Sequence, residues 1–300
     1  MFKTIRNFHK FQLKIVPRSG FHIGAGDTDI TPIASDAEFV RISTPWGRTV
    51  YIPGSSLKGV FRSDAEALLK SQNKEVCELA KGDRKDKDCG KDINNNNNLE
   101  KSEDIYPSVC PSCKTFGNMK MASVVRFEDF FPFKSDESDE EKIKHIDEIE
   151  KYTSIRNGIK IDRFTGSTSK GALYDYEVIT GGCFYGNILL KNPEIWQVLL
   201  IYKTINNIKD GFVKVGGKKS RGLGNLDIQI EALVINSKSE KAITFTKFED
   251  GQFKDNNVQF DFQNAFKERD LIGQKITITD KAAIENYFQQ MLTKLPESWW

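Results

Sequence analysis

Two amphipathic helical segments, each placed between short strand-like segments, restrict the fold of this chain more than any other feature. Residues 10–15 alternate polar and apolar side chains, which is the two-residue period of a half-buried strand. Short strands predicted at 38–42 and 49–52 flank the turn sequence Thr-Pro-Trp-Gly-Arg. A helix that either Ser55 or Ser56 can cap follows them. The predicted buried face of this helix consists of Leu57, Val60, Phe61, Ala65 and Leu68.

The second half of the chain repeats this order. Strands are predicted at 122–130 and 176–191, and 225–234 alternates as a further strand. Asn192 is predicted to cap the second helix, with Pro193 at its first position. The predicted buried face of that helix consists of Ile195, Val198, Leu199, Tyr202 and Ile205. Because each helix returns the chain to one sheet, this order predicts an α+β fold with a ferredoxin-like (RRM-like) βαββαβ core.

Three segments interrupt or follow this core. Residues 71–117 lose the periodicity and are interpreted as an insertion. Residues 134–150 are strongly acidic and are interpreted as a solvated linker that ends in a short exposed helix. We therefore expect one domain over 1–235, followed by an accessory segment over 236–300 that includes a helix from about 280 to 295.

The composition excludes several classes of protein. The 21 Phe, 8 Tyr and 4 Trp residues require a core, which excludes a wholly disordered chain. The 44 Lys and Arg residues against 42 Asp and Glu give a net charge of +2, so any polyanion site must be a local patch. No apolar run reaches the roughly 18 residues of a membrane span, and no secretory signal is recognisable at the start. A soluble, cytoplasmic protein with no membrane partner and with reduced thiols is expected.

The cysteines form the most specific chemical pattern. Cys110 and Cys113 form a C-x-x-C pair, and Cys77 and Cys89 precede them in the same irregular insertion. Thiolates at this spacing chelate one tetrahedral Zn²⁺, and two further cysteines complete an all-sulfur structural site. A partial or vestigial site and a redox pair are the alternatives. Cys183 lies in a predicted strand and is expected to be a small buried apolar residue.

Two basic features could bind phosphate. Residues 216–224 read Gly-Gly-Lys-Lys-Ser-Arg-Gly-Leu-Gly, in which backbone N–H groups and cations could approach a phosphate closely. A flexible basic turn fits the same residues. Lys58 and Arg62 are four residues apart on the first helix, close to its N-terminal N–H groups, which also suits phosphate. Ordinary solvated charges on a helix are the alternative for this pair.

Four motifs occur in a fixed order along the chain. They are Gly20-Phe-His-Ile-Gly24, Tyr51-Ile-Pro-Gly-Ser-Ser-Leu-Lys-Gly-Val-Phe-Arg62, Cys110-Pro-Ser-Cys-Lys-Thr-Phe-Gly117 and the 216–224 loop. Together they resemble the RAMP superfamily of CRISPR-associated proteins over about residues 10–235. More narrowly, the chain resembles the backbone subunit of type III (Csm/Cmr-like) effector complexes.

This resemblance implies a role in antiviral defence. Such subunits stack with other RAMP subunits along a guide crRNA, which lies against an RRM-like palm. A β-hairpin thumb, here 151–180, kinks the duplex between guide and complementary target RNA. In the members that cut RNA, an aspartate between the first strand and the Pro53-Gly-Ser-Ser helix cleaves the target. The matching residue is Asp36, and Asp27 and Asp29 in the same loop are its rivals.

The predicted RNA-binding residues combine these motifs. Basic side chains with one large aromatic residue suit a hairpin that follows phosphates and wedges bases. The set consists of His22, Ser55, Ser56, Lys58, Arg62, Arg156, Lys160, Arg163, Phe164, Lys218, Lys219, Ser220 and Arg221. For the cleavage itself, Asp36 would organise a divalent ion such as Mg²⁺ or Mn²⁺, or would transfer a proton. A side chain that merely stabilises its turn is the alternative for this aspartate.

Two other functions stay open at this stage. One is a non-catalytic scaffold, or a subunit that caps the end of the same kind of complex. The other is a free-standing metal-dependent enzyme, which would need clustered His, Asp and Glu ligands. Histidines at 9, 22 and 145 provide no such cluster in the sequence.

Overall fold

A six-stranded antiparallel sheet carries most of the core in this computed structural model. The structure describes residues 4–24, 37–77, 89–90, 101–162, 164–165, 167–262 and 264–295. The strands are β1 (Asn7–Pro17), β2 (Arg41–Thr44), β3 (Gly47–Val50), β4 (Val125–Phe127), β5 (Thr153–Ile161), β6 (Thr168–Ile179), β7 (Phe184–Lys191), β8 (Leu226–Ser237), β9 (Ile243–Glu249), β10 (Gln252–Val258), β11 (Ala265–Asp270) and β12 (Gly273–Ile278). The helices are α1 (Gly54–Ser71), α2 (Ser102–Ser108), α3 (Pro111–Phe116), α4 (Asp139–Glu150), α5 (Ile195–Lys209) and α6 (Lys281–Leu292).

The strand order of the sheet is β11-β12-β8-β1-β7-β4. Central strand β1 pairs antiparallel with β7 on one side and with β8 on the other. Helix α1 connects β1 toward β4, and α5 connects β7 to β8. Three two-stranded hairpins, β2–β3, β5–β6 and β9–β10, stand outside this sheet. The prediction of an α+β fold is therefore confirmed, and the sheet is entirely antiparallel.

The core forms where one face of the sheet meets α1, α5 and α6. Alternate residues of β1 are buried, and Phe11 and Ile15 are fully enclosed. Helix α1 adds Leu57, Phe61 and Ala65, which recur every four residues along one face. Burying a Leu, Ile or Phe side chain of this kind contributes about 1.5–3 kcal/mol. The periodicity that predicted these elements therefore also identifies much of the core.

Both long helices begin differently from the prediction. Helix α1 starts at Gly54 after Pro53, and neither Ser55 nor Ser56 caps it. The N–H of Gly54 instead donates to Asp129 Oδ1 at 2.8 Å. A Cβ atom at Gly54 would lie 2.6 Å from a backbone oxygen, so glycine permits this close approach.

The cap of α5 is likewise supplied by another residue. Glu194 occupies the N-cap position, and Asn192 lies before the helix with φ 52°. The Asn192 amide oxygen accepts the backbone N–H of Arg6 at 2.7 Å. Contacts made only in the folded chain thus decided where these helices begin.

Several predicted strands are shorter or shifted. The pair predicted at 38–42 and 49–52 forms the hairpin β2–β3, which lies at 41–44 and 47–50. The strand predicted at 122–130 is shorter in the structure, where it covers 125–127 at the edge of the sheet. An apolar pattern reports which side chains are buried, whereas a strand ends where its ladder of hydrogen bonds ends.

The acidic segment 134–150 is more than a solvated linker. Its helix α4 begins with a capping box formed by Ser138 and Glu141. Ile146 and Ile149 are buried, and Ile149 belongs to the main core. The Lys142 ammonium lies 4.4 Å from the centre of the Trp46 ring. The helix is therefore held against the β2–β3 hairpin by one apolar face while its acidic face stays in solvent.

The C-terminal segment 236–300 contributes to the same sheet and core. Strand β12 pairs with β8, and β11 forms the outer edge beyond it. Tyr287 and Phe288 of α6 are buried in the main cluster. Their polar neighbours obscured this pattern in the sequence. Over the residues that the structure describes, no helix is both long enough and apolar enough to cross a membrane.

Candidate functional site

The glycine-rich loop 211–224 is fastened to the segment that follows β1, residues 20–24. The N–H of Gly217 donates to His22 O at 2.8 Å, and the N–H of Gly224 donates to Gly20 O at 2.9 Å. Gly216 has φ +89°, and a Cβ atom there would lie 2.2 Å from His22 O. Glycine is required at this position because both the backbone conformation and the close approach exclude a side chain.

A cavity of about 350 Å³ opens where this loop meets the exposed side of α1. Most of its lining consists of small side chains and backbone atoms, and Lys219 contributes a positive charge. The lining residues are Ile23, Gly24, Ser56, Gly59, Val60, Ser63, Gly216, Gly217 and Lys219. A Cβ atom at Gly59 would meet nothing within 4 Å, so this part of the helix faces open space. The surface admits a polymer backbone at close range and offers it hydroxyl groups and a cation.

The cations of the loop lie against tyrosines of β6. Lys218 has φ 56°, and its ammonium lies 4.3 Å from the centre of the Tyr176 ring and 4.8 Å from that of Tyr174. The Arg221 guanidinium donates to the Tyr174 hydroxyl group. Contacts of a cation with an aromatic face contribute about 0.5–1 kcal/mol at exposed sites. They hold the loop beside the base of the β5–β6 hairpin, while Lys219 and Ser220 remain exposed.

His22 is held in a fixed orientation at the same place. The residue is only 7% exposed, and its Nδ1 donates to Glu177 O at 2.7 Å. Burial lowers the pKa of His22, because desolvation penalises the charged imidazolium. Burial thus favours the neutral ring, in which Nδ1 carries the proton and Nε2 lies beside Gly24.

The two described residues that flank the 25–36 segment lie next to this site. The N–H of Val40 donates to Ile23 O at 2.9 Å, and Ala37 O accepts the N–H of Glu177 at 3.0 Å. Gly24 also bridges to Phe39 in antiparallel fashion. The candidate catalytic residues Asp27, Asp29 and Asp36 lie outside the described residues, as does Arg163.

The β5–β6 hairpin carries part of the predicted RNA-binding set. Phe164 is fully exposed near its tip, where Asp162 Oδ1 accepts the N–H groups of Phe164 and Thr165 at 2.8 and 2.9 Å. Arg156 is exposed, and its guanidinium lies close to Gly20 at the base of the hairpin. The side chain of Lys160 is outside the described part of the chain.

Helix α1 separates the predicted phosphate-binding residues. Ser56 lines the cavity, Ser55 is exposed beside it, and neither Lys58 nor Arg62 belongs to the lining. Burial lowers the pKa of Lys58, and the Arg62 charge lowers it further. Arg62 Nε donates to Glu66 Oε1 at 2.8 Å. Arg62 thus pairs within its own helix and is not among the residues that line the cavity.

Arg62 instead reaches the four cysteines of the insertion. Their Sγ atoms all lie within 4.8 Å of one another, and all four side chains are buried. The Sγ atoms of Cys77 and Cys113 are 3.4 Å apart, and those of Cys77 and Cys110 are 3.7 Å apart. A tetrahedral Zn²⁺ with Zn–S bonds of about 2.3 Å places its sulfurs about 3.8 Å apart. The prediction that Cys77, Cys89, Cys110 and Cys113 lie together is confirmed, and they could hold a zinc ion.

The contacts among the cysteines favour a thiolate at one of them. Hydrogen bonds with Cys113, Cys77 and Cys89 lower the pKa of the Cys110 thiol, whereas the hydrogen bond with Cys110 raises the pKa of Cys89 and of Cys113. The N–H groups of Cys77 and Cys113 also point at Cys110 Sγ, each at 3.5 Å. A zinc ion would replace the shared protons and bind all four sulfurs. Cys183, predicted to be buried, is half-exposed and contacts the Tyr185 hydroxyl group at 3.2 Å.

Sequence reasoning missed four residues that hold this site together. Tyr174 and Tyr176 contact Lys218 of the glycine-rich loop through their rings. Glu177 binds Arg41, which follows the 25–36 segment. The sequence placed Tyr176 and Glu177 in the strand predicted from 176 onward, and Tyr174 in the predicted thumb before it. The partners of these residues lie far away in the sequence, so the local pattern did not indicate them.

Comparison with known proteins adds one finding. The sequence model of the RAMP superfamily matches residues 14–227. This range includes α1, the cysteine-containing insertion, the β5–β6 hairpin, α5 and the glycine-rich loop, and it ends at the start of β8. The chain has no significant match among curated proteins.

Proposed function

Since this chain belongs to the RAMP superfamily of CRISPR-associated proteins, we propose that it is a guide-RNA-binding backbone subunit of a type III effector complex that also cuts complementary target RNA. The cavity between α1 and the glycine-rich loop is the observation that carries this proposal. It joins small side chains, close backbone and an exposed lysine on one surface. The net charge of +2 is compatible with this role because the acidic residues of α4 lie on another element.

The topology supports a ferredoxin-like palm. The strands joined by α1 and α5 lie in the order β8-β1-β7-β4, all antiparallel. In a βαββαβ unit this places the last strand beside the first and the third strand between the first and the second. The remaining strands, β12 and β11, extend this unit beyond β8.

In the proposed complex the guide RNA backbone occupies the cavity. Lys219 would pair with a phosphate, and Ser56 and Ser63 would donate hydroxyl hydrogen bonds. The β5–β6 hairpin would act as the thumb, with Phe164 stacking against a base and Arg156 near the phosphates at its base. Lys218 and Arg221 would reach the same strand from their positions over Tyr174.

Cleavage would depend mainly on geometry. An RNA strand can be cut by its own 2′-hydroxyl group when the backbone is bent into line, so positioning provides much of the rate. Asp36 directly precedes Ala37, which is bound to β6 beside the glycine loop. This adjacency in sequence supports Asp36 as the residue that would transfer a proton or organise Mg²⁺ or Mn²⁺. Asp27 and Asp29 precede Asp36 in the same loop and remain its rivals.

The cysteine cluster would serve as a structural zinc centre. It joins Cys77 and Cys89 to α3, and α3 packs against α1. Bound zinc would therefore order the insertion next to the helix that forms the RNA-binding cavity. A non-catalytic scaffold or an end-capping subunit of the same complex is the second candidate, and it would use the same cavity.

The binding surface can be tested with paired variants in the assembled complex. Gly59→Leu should fill the cavity and lower guide RNA affinity at least tenfold, whereas Ala67→Leu at an exposed position of the same helix should not.

The charge of the loop is tested in the same way. Lys219→Glu should weaken RNA binding and reduce the dependence of affinity on salt concentration by about one ion, whereas Lys241→Glu should leave both unchanged. Sequencing of the copurified RNA identifies the guide. Equal affinity in Gly59→Leu and Ala67→Leu would refute the proposed surface.

A further inference from the structure

Glu177 of β6 binds the chain on the far side of the 25–36 segment. Its carboxylate forms a two-point pair with Arg41, with Nη1 at 2.6 Å and Nη2 at 3.1 Å. The same carboxylate accepts the N–H of Phe39 at 2.8 Å. Planar pairing of this kind fixes direction as well as distance. Residues 37–41 are thus held against β6 by a side chain as well as by the backbone.

The backbone of Glu177 binds both sides of the same segment. Its N–H donates to Ala37 O at 3.0 Å, and its carbonyl oxygen accepts His22 Nδ1 at 2.7 Å. The neighbouring residue Tyr176 supports Lys218 of the glycine loop. One short stretch of β6 therefore joins the 20–24 segment, residues 37–41 and the glycine loop.

The pair lies in a protected environment. The side chains of Arg41 and Glu177 are 13% and 15% exposed, so water screens their attraction weakly. Glu150 at the end of α4 binds the outer side of Arg41 and is 39% exposed. Strand β5 begins at Thr153, shortly after Glu150, so Arg41 contacts β6 and the end of the helix that leads into β5.

We propose that Glu177 is a positioning residue for RNA cleavage, because through Arg41, Phe39 and Ala37 it fixes the placement of the β5–β6 hairpin relative to the residues that follow Asp36. This inference rests on the proposed function. A hairpin that bends the target and a carboxylate that acts at the bend must keep a constant separation, and a shift of about 1 Å can cost a hundredfold in rate. In this role Glu177 would act through its protein partners and would touch neither RNA nor the reacting atoms.

The test compares Glu177→Ala and Glu177→Gln with a matched control. Asp255→Ala removes a partner of the comparably buried Arg6 at a place remote from the hairpin. In the free protein, Glu177→Ala should speed amide hydrogen exchange at Phe39 and Val40, whereas Asp255→Ala should not. In the assembled complex, Glu177→Ala should slow single-turnover cleavage ten- to a hundredfold while target affinity changes less than about threefold. Glu177→Gln keeps an acceptor for Phe39 and should recover part of the rate.

The possible results separate this inference from the proposed function. Unchanged exchange in Glu177→Ala, or faster exchange with an unchanged cleavage rate, overturns the inference. A parallel loss of target affinity and rate shows a binding role and also overturns it. A wild-type complex that never cuts RNA refutes cleavage by this subunit, and the positioning role with it. In that case the exchange data still decide whether Glu177 links the hairpin to residues 37–41.

Discussion

Arg62 Nη2 lies 3.6 Å from Cys113 Sγ, so the helix that lines the proposed RNA-binding cavity also contacts the cysteine cluster. The same nitrogen lies 3.9 Å from Cys77 Sγ, and Nη1 donates to Gly117 O at 3.3 Å. Four thiolates around one Zn²⁺ carry a net charge of −2. A guanidinium at this distance offsets part of that charge and donates to the sulfurs.

Arg62→Gln should therefore weaken zinc retention. Outer partners of metal ligands typically contribute ten- to a hundredfold in affinity. Competition with a chromogenic chelator measures this change directly. Guide RNA affinity should fall much less than in Lys219→Glu, because Arg62 is absent from the cavity lining. Equal losses of RNA binding in the two variants would show that Arg62 contacts RNA, as the sequence first suggested.

Zinc content provides the second prediction. Protein purified without chelator should carry close to one zinc per chain, and Cys113→Ser should lower both that content and the protease resistance of the 71–117 insertion. Cys183→Ser is the matched control, because Cys183 stands apart from the cluster and should leave zinc content unchanged. Metal-free protein with an intact insertion would favour the vestigial or redox interpretation of these cysteines.

The pH dependence of stability follows from His9 in β1. This side chain is fully buried, and its Nε2 lies 2.8 Å from the Tyr287 hydroxyl group. Burial lowers the pKa of His9 to about 3. In the unfolded chain His9 would titrate near pH 6.5. Because the folded state resists protonation, stability is fully present above about pH 6.5 and is lost as the pH falls toward 3.

Between pH 7 and pH 5 this single group should remove about 2 kcal/mol from the free energy of unfolding. Urea denaturation at both pH values measures the change. The side chain in His9→Gln cannot become protonated, so this variant should show a flatter dependence of stability on pH. His145→Gln, at a half-buried position of α4, should keep the wild-type dependence. An identical loss of stability in His9→Gln and wild type would assign the effect to other groups.

Local periodicity predicted part of this structure well. The alternation of β1 and the apolar face of α5 are direct records of burial, so both elements were found. The cysteines were found because C-x-x-C spacing reflects metal geometry within one turn. For Arg62, helical spacing predicted which face of α1 carries the side chain, but it did not predict that this side chain contacts the cysteine cluster.

Long-range pairs were beyond this kind of reasoning. Arg41 and Glu177 are separated by 136 positions, and Arg6 and Asp255 by 249. Nothing in the local sequence of either residue specifies such a partner. The same applies to Asp129, which binds the first N–H of α1 from 75 positions away. Tertiary packing decides these contacts, and in this chain they place the elements of the candidate site.

Replacement of Asp36 provides the last prediction. In the assembled complex, Asp36→Ala should abolish cleavage of complementary RNA while guide and target binding stay nearly unchanged. One carboxylate adds little to the affinity of a polyanionic duplex and opposes it electrostatically. Gel analysis of end-labelled target measures both the rate and the cut positions. Products should end in a cyclic phosphate if the 2′-hydroxyl group attacks, and chelation should stop the reaction if Asp36 acts through a divalent ion.

Its rivals supply the controls, because Asp27→Ala and Asp29→Ala change the same charge in the same loop. Both should cut normally if Asp36 is the catalytic residue. Loss of cleavage in either one, with activity retained in Asp36→Ala, would move the role to that residue. If all three variants cut like wild type, or if wild type never cuts, the subunit holds RNA without cleaving it. Guide binding at the α1 cavity would then be its whole contribution, since that surface does not depend on the aspartates.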